Sequence, residues 1–199
     1  MRQQIVFASQ NAGKHREIQA LLPEYHIIQP ATLHHIDIPE TGKTFVENAL
    51  IKARFWSQQM QMPVLADDSG LMVDVLHGQP GIHSARYAGA DANDEDNLTK
   101  LLNAMTNQSN RAAQFVCCVV FLRHADDPLP IIAYGQWHGQ IATSAQGAEG
   151  FGYDPIFWLP EAKKTVAQLS AGQKNQISHR GRALANFKSQ LQQEFKGHE

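Results

Sequence analysis

The chain has 199 residues, of which 43% are hydrophobic, and this is enough for one domain with a sizeable core. Its formal net charge of −2 excludes a general nucleic-acid or membrane-surface binder, so any basic cluster has to be local. The longest apolar stretch, residues 115–122, is too short to span a bilayer, and the first residues lack the apolar region of a signal peptide. We therefore expect a cytoplasmic protein with no nucleic-acid or membrane partner.

The first apolar run ends in a small polar loop. Residues 5–8 predict a buried strand, and a helical pattern with Ile18, Leu21 and Leu22 follows the loop. Backbone N–H groups, amide and hydroxyl side chains and one ammonium group meet there, which suits phosphate oxygens. A helix-capping turn would have a similar pattern, and the loop is not a Walker A motif. The loop residues are Ser9, Gln10, Asn11, Ala12, Gly13 and Lys14.

A capping box starts the next predicted helix, with Thr44 as N-cap and Glu47 three residues later. Glu40 lies in the preceding loop, residues 30–42. Lys52 lies one turn after Asn48 and away from the apolar stripe, so it can reach outward towards a ligand; a solvated lysine is the alternative. The stripe consists of Phe45, Ala49, Ala53, Trp56 and Met60.

Two adjacent carboxylates follow another short apolar run. Residues 63–66 predict a buried strand that ends in a loop at Asp67-Asp68-Ser69-Gly70. Because an unpaired buried charge is too costly, the carboxylates are either solvated in a wet acidic turn or bind a cation. Ligands of open α/β sheets bind beyond the carboxyl ends of strands, a position that suits Mg²⁺. Together with the first loop, this pattern indicates a site for a metal-bound polyphosphate.

The remaining pattern predicts an α/β protein with a mixed sheet flanked by helices. Strands are predicted at 25–29 and 71–75, a helix with an acidic first turn begins at 94–96, and a long strand pair follows at 114–124 and 131–142. Cys117 and Cys118 are predicted to point to opposite faces of their strand as free core thiols in a reducing compartment. The last helix is predicted to place Leu184, Phe187, Leu191 and Phe195 on one side.

Two more segments carry groups that suit a nucleotide. Gly147-Ala148-Glu149-Gly150-Phe151-Gly152-Tyr153-Asp154-Pro155 is a glycine-rich loop whose aromatic rings suit stacking on a base, worth about 1–3 kcal/mol; a hairpin turn with a packed Phe is the alternative. Lys174, Ser178, His179 and Arg180 form a basic stretch before the last helix. The Arg180 fork suits phosphate or a purine edge, and a helix cap with solvated charge is the alternative.

The order of these motifs resembles the inosine/xanthosine triphosphate pyrophosphatases, the Ham1-like family of house-cleaning noncanonical purine NTP hydrolases. The resemblance extends from Ile5 to about Leu191, and Gln10 is a mild departure where the family often has Asn or Gly. The matching segments are Ser9-Gln10-Asn11-Ala12-Gly13-Lys14, Glu40-Thr41-Gly42 with Thr44-Phe45-x-Glu47-Asn48-Ala49, Ala66-Asp67-Asp68-Ser69-Gly70-Leu71, Pro80-Gly81-Ile82-x-Ser84-Ala85-Arg86-Tyr87, Gly150-Phe151-Gly152-Tyr153-Asp154-Pro155 and Ile177-Ser178-His179-Arg180-Gly181.

The resemblance implies one nucleotide pyrophosphatase domain over residues 1–199, with a long mixed sheet, two lobes, a substrate cleft between them, and a homodimer. It implies Mg²⁺-dependent hydrolysis of ITP, dITP, XTP and dXTP to the monophosphate and pyrophosphate. By motif, residues 9–14 bind the phosphates, Glu40 and Asp68 bind metal, and Asp68 is also the catalytic base. Ser69, Lys174, His179 and Arg180 contact substrate, and Phe151, Gly152, Tyr153 and Asp154 hold the nucleobase. Arg86 receives no role.

The chemistry of phosphoanhydride hydrolysis and of purine recognition gives further expectations for these residues. Lys14, Lys52 and Mg²⁺ would neutralise the triphosphate. Crowding of Asp67 and Asp68 would raise their proton affinity, and bound Mg²⁺ would lower it again. Arg180 aimed at the purine O6 would favour ITP over ATP, because adenine presents an amino donor there. Two alternatives remain: a Maf-type pyrophosphatase acting on other modified nucleotides, and a sensor that binds a Mg²⁺-nucleotide without cleaving it.

Overall fold

The computed structural model describes residues 3–30, 36 and 38–196, with side chains up to residue 193. The predicted loop 30–42 and the side chain of Phe195 therefore lie partly or wholly outside the described residues. Strands and helices follow one another as β1 (Gln4–Phe7), α1 (Ala12–Leu21), β2 (His26–Ile28), α2 (Phe45–Met60), β3 (Val64–Val73), α3 (Asp94–Ala104), β4 (Ala112–Leu122), β5 (Ile131–Ile141), β6 (Phe157–Leu159), β7 (Lys164–Thr165), α4 (Ala171–Ile177) and α5 (His179–Lys196).

The strands form one seven-stranded mixed sheet in the order β2-β1-β3-β4-β5-β6-β7. β1 is parallel to both β2 and β3, and Phe7 lies opposite Leu65 in the register of β1 and β3. β6 is antiparallel to both β5 and β7. The α/β fold with a mixed sheet is thus confirmed. Within the described part of the chain, no helix has both the length and the apolar character that crossing a membrane requires.

The chain divides into two compact units, whose boundaries fall within β3, β4 and β5 and at the start of α5. The first unit contains the described residues of 1–68, 117–135 and 180–199, and the second contains 69–116 and 136–179. Each unit has a hydrophobic core of its own.

Strand alternation builds two core layers in the first unit. Phe7 and Leu65 pack with residues of α1 and α5. Their strand neighbours Val6, Val64 and Ala66 belong to a separate cluster with residues of α2. This follows from the period of two along a strand, which sends neighbouring side chains to opposite faces. α1 and α5 therefore cover one face of this part of the sheet, and α2 covers the other.

The two cysteines confirm the predicted alternation. Both are buried free thiols; Cys117 belongs to the cluster with α1 and α5, and Cys118 to the cluster with α2. Burial raises the pKa of the Cys118 thiol to about 11, so the thiol stays protonated and unreactive at neutral pH.

The second unit is built around the remaining halves of the long strands. Leu71 and Val73 of β3 pack with Leu101 of α3 and with Phe157 of β6 in one buried cluster. Short 3₁₀ helices lie in the segments between its strands and α-helices, among them Asp154–Ile156.

Two local predictions were wrong. β3 does not end before the acidic pair, because it continues from Val64 to Val73 through Asp67, Asp68, Ser69 and Gly70. A glycine and three polar residues resemble a turn, but here they lie in β3, which pairs with β4 in the sheet, and strand pairing outweighs local propensity. Helix α1 begins at Ala12, so Lys14 lies in its first turn rather than in a loop.

Other predictions are confirmed. Thr44 caps α2 by accepting a hydrogen bond from the Glu47 N–H at 3.3 Å. The apolar stripe of α2 packs in the core, with Ala53 and Trp56 buried. The long strand pair is formed by β4 and β5, and the acidic first turn of α3 begins at Asp94. The short helix α4 was not predicted.

Candidate active site

The turn between β1 and α1 positions the predicted phosphate-binding residues. Asn11 is the N-cap of α1, and its side chain accepts a hydrogen bond from the Lys14 N–H at 3.0 Å. The Ser9 hydroxyl in turn accepts from the Asn11 N–H at 3.3 Å, and the Gln10 amide donates to the Ile36 carbonyl at 3.4 Å. Residues 12–14 thus begin a helix, where N–H groups lack an intrahelical carbonyl partner and favour anions.

Asp67 lies on the face of the sheet that α1 and α5 cover, the face also occupied by Leu65 two residues earlier. The Lys14 ammonium lies 3.1 and 3.0 Å from its two carboxylate oxygens. Arg180 Nη2 lies 3.4 Å from one of them, and Arg180 Nη1 pairs with Glu17 of α1. Two cations and two carboxylates therefore form a charge-balanced cluster.

Arg180 is fully buried in this cluster. Burial by itself would lower the pKa of the guanidinium, but attraction to Asp67 and Glu17 outweighs it and raises the pKa above its ordinary value. The side chain is therefore charged at every physiological pH. In this structure the fork that was predicted to contact a purine edge donates to carboxylates of the first unit.

Asp68 lies on the opposite face of β3, the face that α2 covers. Asn48 Nδ2 donates to Asp68 Oδ2 at 3.2 Å. Lys52 Nζ lies 3.6 Å from Asp68 Oδ1 and donates to Glu40 Oε1 at 2.8 Å. Lys52 therefore contacts both predicted metal ligands, Glu40 and Asp68. Asp68 is 6% exposed, and Asp67 is completely buried.

The surroundings of Asp68 change its proton affinity. Burial is the main reason that the pKa of Asp68 is raised, and the charge of Glu40 adds to it, while Lys52, Lys14 and the Asn48 hydrogen bond oppose it. The predicted increase thus occurs at Asp68, with burial as its largest cause rather than crowding by Asp67. Burial would lower the pKa of Lys52, but Asp68 and Glu40 outweigh it and raise that pKa, so the ammonium stays charged.

The donor set of Glu40 and Asp68 fits Mg²⁺. Among the residues that the structure describes, no group of three or more His, Cys, Asp or Glu side chains could hold a metal ion by itself. Mg²⁺ is commonly bound through one or two carboxylates together with water and substrate phosphates, so it does not need a complete protein cage. Glu40 and Asp68, both within reach of one lysine, supply the two carboxylates.

The second unit contains the glycine-rich loop. Asp154 Oδ2 accepts hydrogen bonds from Lys174 Nζ at 2.7 Å and from the Phe151 N–H at 3.0 Å. Lys174 Nζ also lies 4.4 Å from the centroid of the Phe151 ring, a cation–π contact. Asp94 Oδ2 accepts from the Gly152 N–H at 2.7 Å. The Lys174–Asp154 ion pair therefore lies against the Phe151 ring, and the hydrogen bond from Gly152 to Asp94 fixes the loop.

Two other predicted contacts of the second unit are buried in its core. Tyr153 packs in the core, and its hydroxyl donates to the Ser84 carbonyl at 2.9 Å. The His179 ring stacks on Phe115 at a centroid distance of 4.7 Å and an interplanar angle of 12°, and Trp137 lies on the same stack at 6.4 Å. Both side chains contribute to packing.

The structure thus divides the predicted residues between the units. Ser69 follows Asp68 on β3 and is partly exposed. Asp67, Asp68 and Arg180 are buried and paired, so the alternatives of a wet acidic turn and of a solvated arginine are wrong. Lys52, which pairs with two carboxylates, is likewise not a solvated lysine. The first unit gathers Ser9, Gln10, Asn11, Ala12, Gly13, Lys14, Glu40, Lys52, Asp68 and Arg180, and the second contains Ser69, Phe151, Gly152, Tyr153, Asp154, Lys174 and His179.

Two residues of the first unit, Asn48 and Glu17, were not assigned to the site from the sequence; they contact Asp68 and Arg180 respectively. Helical spacing offered a signal for both, since Asn48 lies four residues before Lys52 and Glu17 three residues after Lys14. Asp67 was predicted together with Asp68 as a solvated or cation-binding pair, and it contacts Lys14.

Comparison with known proteins identifies the family of the chain. A sequence profile of the Ham1 family matches residues 5–190. The chain belongs to the Ham1 family. It is 50% identical over 186 residues to a dITP/XTP pyrophosphatase of Yersinia pseudotuberculosis, and the alignment covers 92% of this chain and 94% of that protein. The resemblance stated from the motifs is therefore confirmed, and the Maf-type alternative is not supported.

Solved Ham1 structures show the same fold. A Ham1 protein from Coxiella burnetii is 45% identical, with a TM-score of 0.88 over 96% of this chain and 99% of that chain. The Ham1 protein of Staphylococcus aureus is 44% identical, with a TM-score of 0.83 over 99% of this chain and all of that chain.

Proposed function

We propose that this Ham1-family chain is a Mg²⁺-dependent nucleoside triphosphate pyrophosphatase that hydrolyses ITP, dITP, XTP and dXTP to the monophosphate and pyrophosphate. The name of the Yersinia pseudotuberculosis relative, a dITP/XTP pyrophosphatase at 50% identity, supports the reaction and the substrate class. The observation that carries the mechanism is the pair of lysines that contact adjacent carboxylates on β3, Lys14 at Asp67 and Lys52 at Asp68.

Lys14 and the first turn of α1 would bind the phosphates. The ammonium of Lys14 and the helix start both favour anions, and Lys52 adds a second positive charge. Ser9 and Asn11 hold the turn in shape through their side-chain hydrogen bonds. Phosphoryl transfer depends mainly on positioning and charge neutralisation, and these groups supply both.

Glu40 and Asp68 would hold Mg²⁺, which, when bound, neutralises phosphate charge and polarises the phosphoanhydride. Asp68 is the proposed base for the attacking water. Without metal, burial raises the pKa of Asp68. Bound Mg²⁺ would lower this pKa again, so metal occupancy sets whether Asp68 can accept a proton near neutral pH. Lys52 keeps its proton, so it serves as a fixed positive charge rather than as a base.

Residues of the second unit would bind the nucleoside. The Phe151 ring, with Lys174 on one face, suits stacking on a purine, and the Gly152 and Asp154 backbone lies in the tethered loop beside it. Ser69 and His179 remain proposed substrate contacts. We also propose a homodimer, from the resemblance, and a cytoplasmic location, with which the free thiols of Cys117 and Cys118 are compatible.

A nucleotide panel tests this proposal. ITP, dITP, XTP, dXTP, ATP, GTP and dUTP are incubated with the protein, with Mg²⁺ or with EDTA, and pyrophosphate and orthophosphate are measured separately. We expect pyrophosphate from the first four only, and only with Mg²⁺. Asp68→Asn is expected to remove nearly all turnover while the circular dichroism spectrum is unchanged.

Two results would contradict the proposal. Nucleotide binding without pyrophosphate release from any member of the panel would favour a sensor. Turnover of Asp68→Asn within about tenfold of the wild type, a loss of at most about 1.4 kcal/mol, would remove Asp68 from the role of base.

A further inference from the structure

Asn48 connects the two carboxylates that we assign to the metal. Its side-chain Nδ2 donates to Asp68 Oδ2 at 3.2 Å. Its side-chain Oδ1 accepts from the Gly42 N–H at 2.9 Å, two residues after Glu40 in the same loop. One amide group therefore contacts β3 on one side and the loop that carries Glu40 on the other.

The position of Asn48 is highly constrained. The residue is 0% exposed and lies in the second turn of α2, one turn before Lys52. A buried amide that makes two hydrogen bonds has one favourable orientation, because turning it over would place N–H against N–H and oxygen against carboxylate. The amide orientation is thus determined by its two partners.

The backbone of Gly42 packs tightly against the Asn48 side chain. A Cβ added at Gly42 would lie 2.7 Å from Asn48 Oδ1 and 2.6 Å from the Glu47 Cβ. Only glycine lets the loop backbone approach the amide to this distance. The close approach therefore depends on residues of both the loop and the helix.

We propose that Asn48 is a positioning residue, which holds the Asp68 carboxylate and the Glu40 loop in one arrangement so that both carboxylates can bind the same divalent cation. The inference rests on the proposed function, because it takes Glu40 and Asp68 as the metal ligands. Partners of metal ligands orient them, and removing such a partner commonly lowers metal affinity or activity by about 10–100-fold.

The second unit offers a matched control. Asn97 is also a buried asparagine of a helix, with 2% exposure, and its side chain also makes two hydrogen bonds, to the Ala88 N–H at 2.7 Å and the Ala85 carbonyl at 3.1 Å. None of these partners is an assigned ligand. Loss of its amide therefore reports the structural cost of removing a buried asparagine.

The test compares Asn48→Leu, Asn48→Ala and Asn97→Ala with the wild type. Leucine keeps the size of the side chain and removes both polar atoms; alanine is the second variant in case leucine does not fold. Three quantities are measured: Mn²⁺ binding by electron paramagnetic resonance without nucleotide, kcat and KM for ITP with saturating Mg²⁺, and the thermal unfolding midpoint.

We expect both Asn48 variants to bind Mn²⁺ more weakly and to have a lower kcat, each by about 10–100-fold, with KM for ITP little changed. Asn97→Ala should lower the unfolding midpoint to a similar extent and leave Mn²⁺ affinity and kcat at the wild-type values. Wild-type Mn²⁺ affinity and kcat in a folded Asn48 variant would overturn the inference, as would equal losses in Asn97→Ala.

The metal measurement separates this inference from the proposed function. If the wild type binds Mn²⁺ but releases no pyrophosphate from any nucleotide, the proposed function fails. The Asn48 inference is then decided by Mn²⁺ affinity alone.

Discussion

Asp67 and Asp68 are adjacent in sequence and differ in environment. Because neighbouring side chains of a strand point to opposite faces, Asp67 meets Lys14 and Arg180, whereas Asp68 meets Asn48 and Lys52. Asp67 lies in a fully buried, charge-balanced cluster. Asp68 is slightly exposed, and the burial that raises its pKa is only partly offset by its partners. This difference supports Asp68, rather than Asp67, as the proposed base.

The raised pKa of Asp68 predicts an effect on stability. Below the unfolded pKa of about 3.9, the carboxyl is protonated in both states; as the pH rises through the higher folded pKa, ionisation costs more in the folded protein than in the unfolded chain. The stability that Asp68 contributes is thus present at low pH and lost as pH rises. Asp68→Asn removes the cost, so without metal we expect its unfolding midpoint to exceed that of the wild type at neutral pH.

Thermal unfolding in EDTA, from below the unfolded pKa of about 3.9 up to neutral pH, checks this expectation, because the contribution of Asp68 is lost as the pH rises above that value. The difference between Asp68→Asn and the wild type should shrink towards the acidic end. A variant that is less stable at neutral pH would show that the Lys52 pair stabilises the fold more than burial of Asp68 costs.

Arg180 also predicts two separable effects. Removing one partner of a buried ion pair leaves the other charges uncompensated, which costs about 3–5 kcal/mol. Arg180→Ala should therefore lower the free energy of unfolding by about that amount, since Asp67 and Glu17 both lose a cation. If Arg180 also contacts the purine O6 during the reaction, the preference for ITP over ATP should fall.

Urea denaturation and paired kcat/KM values for ITP and ATP separate these effects. Arg180→Lys is the control that retains the charge without the fork. A destabilised Arg180→Ala variant with an unchanged ITP-to-ATP ratio would restrict Arg180 to the ion-pair cluster.

At the scale of secondary structure, α2 serves both the core and the site. Its apolar stripe, which includes Ala53 and Trp56, packs in one core layer of the first unit, and Asn48 and Lys52 lie one turn apart at Asp68. Side chains four residues apart lie on the same face of a helix. A helix held by its core stripe thus presents two polar groups to β3 at a constant spacing.

The approach of the loop to α2 gives a prediction for Gly42. Alanine there would place a methyl group 2.7 Å from Asn48 Oδ1, so the loop and the amide have to separate. We expect Gly42→Ala to lower kcat for ITP by about 10-fold or more, as loss of a group that orients a metal ligand does. Gly172→Ala in α4 is the control, since an added Cβ there meets nothing within 4 Å. Equal activities would show that the loop adjusts without cost.

At the scale of the molecule, each unit carries its own part of the proposed chemistry. The first unit contains the lysines and carboxylates suited to phosphate and metal, and the second contains the Phe151–Lys174 contact suited to a base. Each unit also has its own buried core.

The homodimer is a prediction for the whole molecule. Sedimentation velocity at micromolar concentration should give a particle with twice the mass of one chain, and dilution should not change it. A single-chain mass throughout would contradict this expectation, which rests on the resemblance to the family.

Features that depend only on residues close together in the sequence were predicted correctly. Thr44 and Glu47 form a cap through atoms three residues apart, and the alternation of Cys117 and Cys118 follows from the geometry of any strand. The course of β3 was not predictable in this way. Asp67-Asp68-Ser69-Gly70 favours a turn locally, yet the segment lies within β3, which pairs with β4 in the sheet.

The sequence by itself determined the family, the α/β class and the chemical groups of the proposed site, because ordered motifs and periodicity are properties of the chain alone. The tertiary structure decided which of these side chains contact one another. Asp67 pairs with Lys14 and Arg180, and Asp68 meets Asn48, because these partners are separated by tens of residues and come together only when helices pack on the two faces of one strand. Burial, which raises the pKa of Asp68, likewise exists only in the folded protein.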